Sequence, residues 1–382
     1  MTDPSSHLQA AADATLERIT AGAPAWTDAV FEATALDLFT AQRAAVPAYA
    51  AWSSWELGAR PSRAAGAEPV GSWREIPALP IAAFKQLEVY DPSAPVAATW
   101  QSSGTTSADR STHRLQAAAH YDASLDAGVA AALVPDVASG ERAPLACVQL
   151  QPAASDAPNS SLTHMYDRIR TGPWCIDRGA FVDGDYRIDV EGAWAELGEL
   201  CAHRSPVLLL TTSFALAMLL EAVEAAGHAP LALPAGSRVV DTGGFKGRTR
   251  EITREELLGR VEQLLGVPAA WCENEYGMSE LSSQAWLGTV AAASGHPLEL
   301  PAPGARWTPP WLRVRVVDPV TLVDVADGEQ GLLVFHDLAN VWSCAAVRSE
   351  DLGVRRGEGF ELVGRAPGAA LKGCSLRLED LA

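Results

Sequence analysis

Residues 207–273 alternate short apolar runs with capped amphipathic segments, and few folds accommodate that pattern. Residues 207–210 (Val-Leu-Leu-Leu) form a short continuous apolar run of the kind a strand buried on both faces shows. Thr212 or Ser213 stands where an N-cap belongs, residues 214–226 have helical spacing, and Gly227 supplies a stop. A second strand is expected over 238–241. Thr253 with Glu256 forms a capping box ahead of Leu257, Val261, Leu264 and Leu265, and Gly266 and Pro268 end that helix. Residues 270–273 read as a third strand. Strand, helix, strand, helix, strand implies right-handed parallel crossovers in a doubly wound α/β sheet. In such sheets a ligand sits beyond the carboxyl ends of the strands.

The flanks have different textures. Up to about Trp55 the chain is Ala-rich with helical spacing (Leu8, Ala11, Leu16, Ile19, then Val30, Phe31, Leu36, Phe39). A Gly-, Pro- and Ser-rich loop follows over 58–71, then an apolar, proline-containing segment over 76–84 that ends in Lys85. After about Pro301 the pattern turns to period two: Leu312, Val314 and Val316 alternate with Arg313 and Arg315, with further strands expected over 332–335 and 361–363. This predicts an antiparallel β subdomain, with a small barrel as one closure. The expected organisation is an α/β core over 1–300 and a β-rich part over 301–382 that ends in a short tail.

Charge removes several classes of function. The 29 basic and 47 acidic residues give a net charge of −18, the wrong sign for a phosphate backbone or an anionic membrane surface. The start is polar and acidic without a signal pattern, and no apolar run reaches membrane-spanning length. Six cysteines (147, 175, 201, 272, 344 and 374) include no C-x-x-C pair, and the 8 histidines show no metal spacing. The expectation is a cytoplasmic protein of a reducing compartment that binds neither nucleic acid nor membrane.

Three segments carry chemistry. Gln101-Ser102-Ser103-Gly104-Thr105-Thr106-Ser107 follows a strand-like run and offers backbone amides and hydroxyls of the kind that suit phosphate oxygens. It has no Walker ending, and by composition a Ser/Thr surface turn fits equally well. Glu275-Tyr276-Gly277-Met278-Ser279-Glu280 lies just past the third parallel strand. Tyr276 could stack on a base, Gly277 allows close backbone approach, and Glu280 could hold Mg²⁺ through oxygen. An ordinary strand-to-helix turn would look the same. In Arg348-Ser349-Glu350-Asp351-Leu352-Gly353, followed by Gly364-Arg365, an Asp in a loop could accept both ribose hydroxyls; a solvated charged turn is the alternative.

Taken in order, these motifs resemble the adenylate-forming superfamily of acyl-CoA synthetases, adenylation domains and luciferases. The closer resemblance is to its LuxE-like acyl-protein synthetase branch. It is carried by Ile76-Pro77-Ala78-Leu79-Pro80, Phe84-Lys85, the 102–107 loop, Asn159-Ser160-Ser161-Leu162 with Met165, Thr242-Gly243-Gly244-Phe245-Lys246-Gly247, the 276–280 motif and Lys372-Gly373-Cys374-Ser375-Leu376. The resemblance implies the superfamily's N-terminal core, with doubly wound mixed sheets plus a small β subdomain. With about 17 residues after Arg365, it implies that the usual C-terminal domain is lacking.

The resemblance also implies roles. Ser102, Ser103, Gly104, Thr105, Thr106 and Ser107 would hold the phosphates of ATP. Tyr276, Gly277, Met278 and Ser279 would line the nucleotide, Asp351 and Arg365 its ribose side, and Glu280 would bind Mg²⁺. Lys246 would neutralise the α-phosphate or the substrate carboxylate, with Lys85 a weaker candidate. Gly243, Gly244 and His164 would face the carboxylic acid. Cys374, flanked by Lys372 and Arg377, would take the acyl group as a thioester and pass it to a reductase or carrier protein. Two alternatives stand beside this one: a free-standing ligase that hands its adenylate to a carrier protein, CoA or another enzyme, and a non-catalytic subunit of a reductase or biosynthetic complex.

Overall fold

In a computed structural model of the chain, described over residues 3–59, 70–102, 110–243 and 252–366, the Ala-rich N-terminal stretch folds as helices α1 (Pro4–Ala21), α2 (Asp28–Ala45) and α3 (Pro47–Ala59). Thr27 caps α2 by accepting from the Val30 amide, and Phe31, Leu38 and Phe39 bury its inner stripe. Strand β1 (Leu79–Pro80) and the short α4 (Ala83–Gln86) take up the proline-containing segment and place Lys85 on a helical turn. Strands β2 (Ala98–Gln101) and β3 (Thr112–Leu115) pair antiparallel as a hairpin, and α5 (Ala119–Gly128) follows.

The chain then builds α6 (Pro135–Ala138), β4 (Leu145–Leu150), α7 (Ser161–Arg170), β5 (Cys175–Ala180), α8 (Val190–Ala202), β6 (Val207–Thr212), α9 (Ser213–Ala225), β7 (Arg238–Thr242), α10 (Arg254–Leu265), β8 (Cys272–Tyr276), β9 (Ala285–Trp286) and α11 (Thr289–Ala293). These strands form one sheet in the order β5-β4-β6-β7-β8-β9, parallel except for β9. The expected alternation is present with its caps. Thr212 accepts from the Ala215 amide at the start of α9, and Thr253 accepts from the Glu256 amide at the start of α10. Gly266 ends α10 at φ 70°, a left-handed conformation that glycine adopts without strain. Leu208, Leu209 and Leu210 have no exposed surface, as a strand covered on both faces requires. Leu216, Leu219, Val223, Val261 and Leu264 pack against Leu209 and Val239.

The last stretch supplies β10 (Leu312–Val317), β11 (Gln330–Asp337), β12 (Ala346–Arg356) and β13 (Gly359–Arg365). They pair antiparallel in sequence order, and β1 adds in parallel beside Val347 and Arg348 of β12. Among the described residues this is an open five-stranded sheet and not a closed barrel, because β12 is long enough to pair β1 near its start and β13 near its end.

Two compact units result. One takes in described residues of Met1–Leu125, Met278–Gln284 and Leu300–Ala382; the other is Asp126–Gly277 with Ala285–Glu299. Trp52, Trp73 and Trp100 are core residues of the first. In the second, the Asp136 carboxylate accepts from both the fully buried Arg238 and Arg142, and the Arg238 guanidinium also donates to the Leu133 carbonyl. Among the described residues no helix is long and apolar enough to cross a membrane.

Candidate functional site

Strands β2 and β3 pair so that Gln101 lies opposite Thr112, and the Ser/Thr/Gly segment connects them in sequence. At its base the Ser102 amide donates to the Ser111 carbonyl (3.2 Å), and the Ser111 amide donates to the Ser102 hydroxyl (2.9 Å). Ser111 then turns its own hydroxyl onto the Glu280 carboxylate. Two segments about 170 residues apart in sequence, each singled out for phosphate or metal chemistry, therefore meet inside one compact unit.

Glu280 is 5% exposed. Burial pushes its carboxyl above the ordinary range, while the Ser111 hydroxyl, its own backbone and the charges of Lys85 and Arg365 pull it down. An ordinary strand-to-helix turn was the alternative to a ligand-binding role for this segment. The structure has β8 end at Tyr276, a turn at Ser279 and Glu280, and a return as the antiparallel β9. No helix starts there, so Glu280 is not a helix-start residue.

Asp351 lies within β12, not in a loop, which corrects the expectation from its charged neighbours. It is directly opposite Arg365 of β13, with Arg365 Nε 3.7 Å from its Oδ1. Asp351 is 16% exposed at its side chain and Arg365 68%. Ser102, Met278, Ser279, Glu280, Asp351, Arg365 and Lys85 all belong to the first unit.

Tyr276 and Gly277 end the second unit's share of the motif, with Tyr276 half-buried and paired with Ala285. Gly243 follows β7 at φ 73°, and its carbonyl accepts from the Ser213 hydroxyl (2.9 Å). His164 is half-buried on α7. At the carboxyl end of β7 the buried Asp241 accepts from Ser213 (2.6 Å), Arg254 (2.9 Å) and Asn274 (3.0 Å). Ser103, Gly104, Thr105, Thr106, Ser107, Gly244, Lys246 and Cys374 lie outside the described residues.

The sequence reading missed the residues that support the 278–284 segment. Asp337 has no exposed surface and accepts from the amides of Ser282 and Ser283 (both 2.8 Å), the Ser283 hydroxyl (2.6 Å) and the Ala339 amide (3.1 Å). Asn340 Nδ2 donates to the carbonyls of Glu280 and Cys344, both at 2.9 Å. Burial pulls His113 down to about 4, so its ring is neutral at pH 7. Its Nδ1 lies 2.8 Å from the Ser279 carbonyl, which can only accept, so the ring proton belongs on Nδ1. Nε2 is left as an acceptor 3.0 Å from the Ser343 hydroxyl. No strand was expected over 112–115, so nothing pointed to His113, and nothing local marks Asp337 or Asn340.

Among the described cysteines, burial pushes the thiols of Cys147 and Cys344 well up and that of Cys272 to about 12, which makes them poor nucleophiles at neutral pH. Among the described residues there is no cluster of three or more metal-ligating side chains. A single carboxylate still fits Mg²⁺, a hard cation usually held by one or two carboxylates together with substrate phosphates and water.

Comparison with known proteins agrees with the fold. A 2-hydroxyisobutyryl-CoA ligase, solved in an open conformation with 2-HIB-AMP and CoA, superposes with a TM-score of 0.54 at 12% identity, covering 84% of this chain and 70% of that one. That likeness shows the fold of adenylate-forming enzymes. A long-chain-fatty-acid-CoA ligase from Archaeoglobus fulgidus gives a TM-score of 0.48 at 14% identity, over 76% of this chain and 55% of its own. The long-chain-fatty-acid–luciferin-component ligase of Aliivibrio fischeri is 35% identical over 82 residues. That match spans 19% of this chain and 22% of the relative. The family description "Acyl-protein synthetase, LuxE" matches residues 70–381, most of the sequence. By that match the chain belongs to the LuxE acyl-protein synthetase family.

Proposed function

We propose that the protein activates a carboxylic acid, fatty or related, as an acyl-adenylate and then passes the acyl group to a thiol. The observation that carries this reading is the Ser111–Glu280 hydrogen bond, which joins the base of the Ser/Thr/Gly loop to the buried carboxylate. The Asp351–Arg365 pair and Lys85 in the same unit supply a ribose-type acceptor and cations.

In the first step a carboxylate oxygen of the acid attacks the α-phosphorus of ATP. A C–O–P link forms, the bond to the β-phosphate oxygen breaks, and pyrophosphate leaves with its electron pair. Phosphoryl chemistry of this kind depends on positioning and charge neutralisation. Residues 102–107 hold the outer phosphates through amides and hydroxyls. Asp351 accepts the ribose hydroxyls, with Arg365 beside it. Lys246 neutralises the α-phosphate or the acid. Tyr276 packs on adenine beside Gly277, Met278 and Ser279, and Gly243, Gly244 and His164 contact the acid. Glu280 would hold Mg²⁺, which neutralises phosphate charge when bound.

In the second step the Cys374 thiolate attacks the acyl carbon, forming a thioester and releasing AMP. An acyl-accepting protein, a reductase or carrier, would then take the group. Intact mass after incubation with MgATP and acid tests this step. An acyl adduct labile to hydroxylamine is expected on the wild type and absent from Cys374→Ser, with pyrophosphate exchange retained in both. Wild-type levels of adduct in the variant would refute the Cys374 role. Exchange without any adduct would favour release of the adenylate to a carrier protein, CoA or another enzyme.

A further inference from the structure

The turn that carries Glu280 is held at four backbone atoms by side chains distant in sequence. His113 donates to the Ser279 carbonyl, Asn340 donates to the Glu280 carbonyl, and Asp337 accepts from the amides of Ser282 and Ser283. His113, Asp337 and Asn340 have no exposed surface. Asn340 is itself pinned. Its amide donates to the Asp337 carbonyl (3.0 Å), and Gln42 Nε2 donates to the carbonyls of Asn340 (2.9 Å) and Val341 (3.0 Å). Gln42 Oε1 accepts from the Ala345 amide (2.9 Å), so one amide side chain clasps both ends of the 340–345 loop. Gln42 is fully buried on α2, outside the 70–381 segment that matches the family.

This network fixes the backbone on both sides of Glu280 and leaves the carboxylate to Ser111 and to whatever else it meets. A carboxylate oxygen can accept more than one bond. A hard cation of narrow geometry tolerates little misplacement of such an oxygen, and side chains that orient a ligand commonly matter about tenfold or more.

We propose that Asn340 is a positioning residue for Glu280, and that Gln42 positions Asn340, so that helix α2 forms part of the framework of the nucleotide site. This rests on the adenylation reading above. The role runs from α2 through the 340–345 loop to a backbone carbonyl, with no charge in the chain of contacts.

Calorimetric titration of the full chain with MgATP, and with ATP in EDTA, tests it. Asn340→Leu keeps similar volume and removes both donors. It should weaken MgATP binding about tenfold while leaving metal-free ATP binding within about twofold, and Gln42→Met should show the same selective loss at about threefold. MgATP binding as tight as wild type, or equal losses with and without Mg²⁺, would overturn the proposal. Should Asn340→Leu fail to fold by circular dichroism, Ser343→Ala takes its place. That variant removes the hydroxyl that lies 3.0 Å from both Asn340 Oδ1 and His113 Nε2, and the same Mg²⁺-selective loss or its absence decides. A wild-type chain that binds no ATP would overturn the adenylation reading and this role with it.

Discussion

Asp337→Asn separates the charge of this buried anchor from its shape. Burial pushes Asp337 up to about 6, even though three amides and a hydroxyl donate to it. An unfolded Asp titrates near 3.9, so the native state resists ionisation by about 2 units, or about 3 kcal/mol in all. With the folded value the higher one, this contribution to stability is fully present below about pH 4 and is lost as pH rises through about 6. Between pH 5 and 7.5 the wild type should therefore lose about 1 kcal/mol that the variant keeps. The amide has a separate cost. Whichever way it turns, its NH₂ faces donors, and the cheaper orientation orphans the Ala339 amide at about 1–3 kcal/mol. Urea unfolding of both proteins across that pH range measures the difference directly. The variant should be close to wild type at pH 7.5 and clearly weaker at pH 5. Parallel stability curves, or a gap that widens as pH rises, would refute the reasoning.

Three further outcomes are expected. Arg238→Met leaves Asp136 buried with Arg142 alone, and should cost about 3–5 kcal/mol, read as a lowered thermal midpoint. In the wild type, burial opposes the Asp136 carboxylate, but hydrogen bonds and charge from Arg238 and Arg142 outweigh it and hold it at about 2. The stability this pair confers is thus present above about pH 4 and lost as pH falls towards 2, which acid unfolding would reveal as a steeper slope in the wild type than in Arg238→Met, where Arg142 still pairs with Asp136. Glu280→Gln removes a charged oxygen ligand and should slow pyrophosphate exchange at least about tenfold, about 1.4 kcal/mol of barrier, with an altered Mg²⁺ dependence; normal kinetics would make Glu280 a structural carboxylate.

The part of the fold that could be read from the sequence is the part in which local signals and tertiary packing agree. From β6 to β8 the apolar runs, the caps at Thr212 and Thr253, and the Gly266 stop all point the same way. β12 was misread around Asp351 because Arg348, Ser349, Glu350 and Asp351 look like a solvated turn. Pairing with β1, β11 and β13 overrides that local preference. The motifs containing Ser102 and Glu280 were legible as chemistry, but their meeting through Ser111 was not, since a contact spanning 169 residues leaves no trace in either motif. For the same reason Asp337 and Asn340 were invisible. Each is an unremarkable polar residue near a strand end, and its role comes from what the fold packs against it.

Acid-dependent ATP–pyrophosphate exchange, run on the full chain against a panel of fatty and aryl acids, tests adenylation most directly. Exchange that requires Mg²⁺, rises well above the acid-free blank for at least one class of acid, and collapses in Glu280→Gln is the predicted result; a folded wild-type chain that gives no exchange above the blank with any acid in the panel would contradict it.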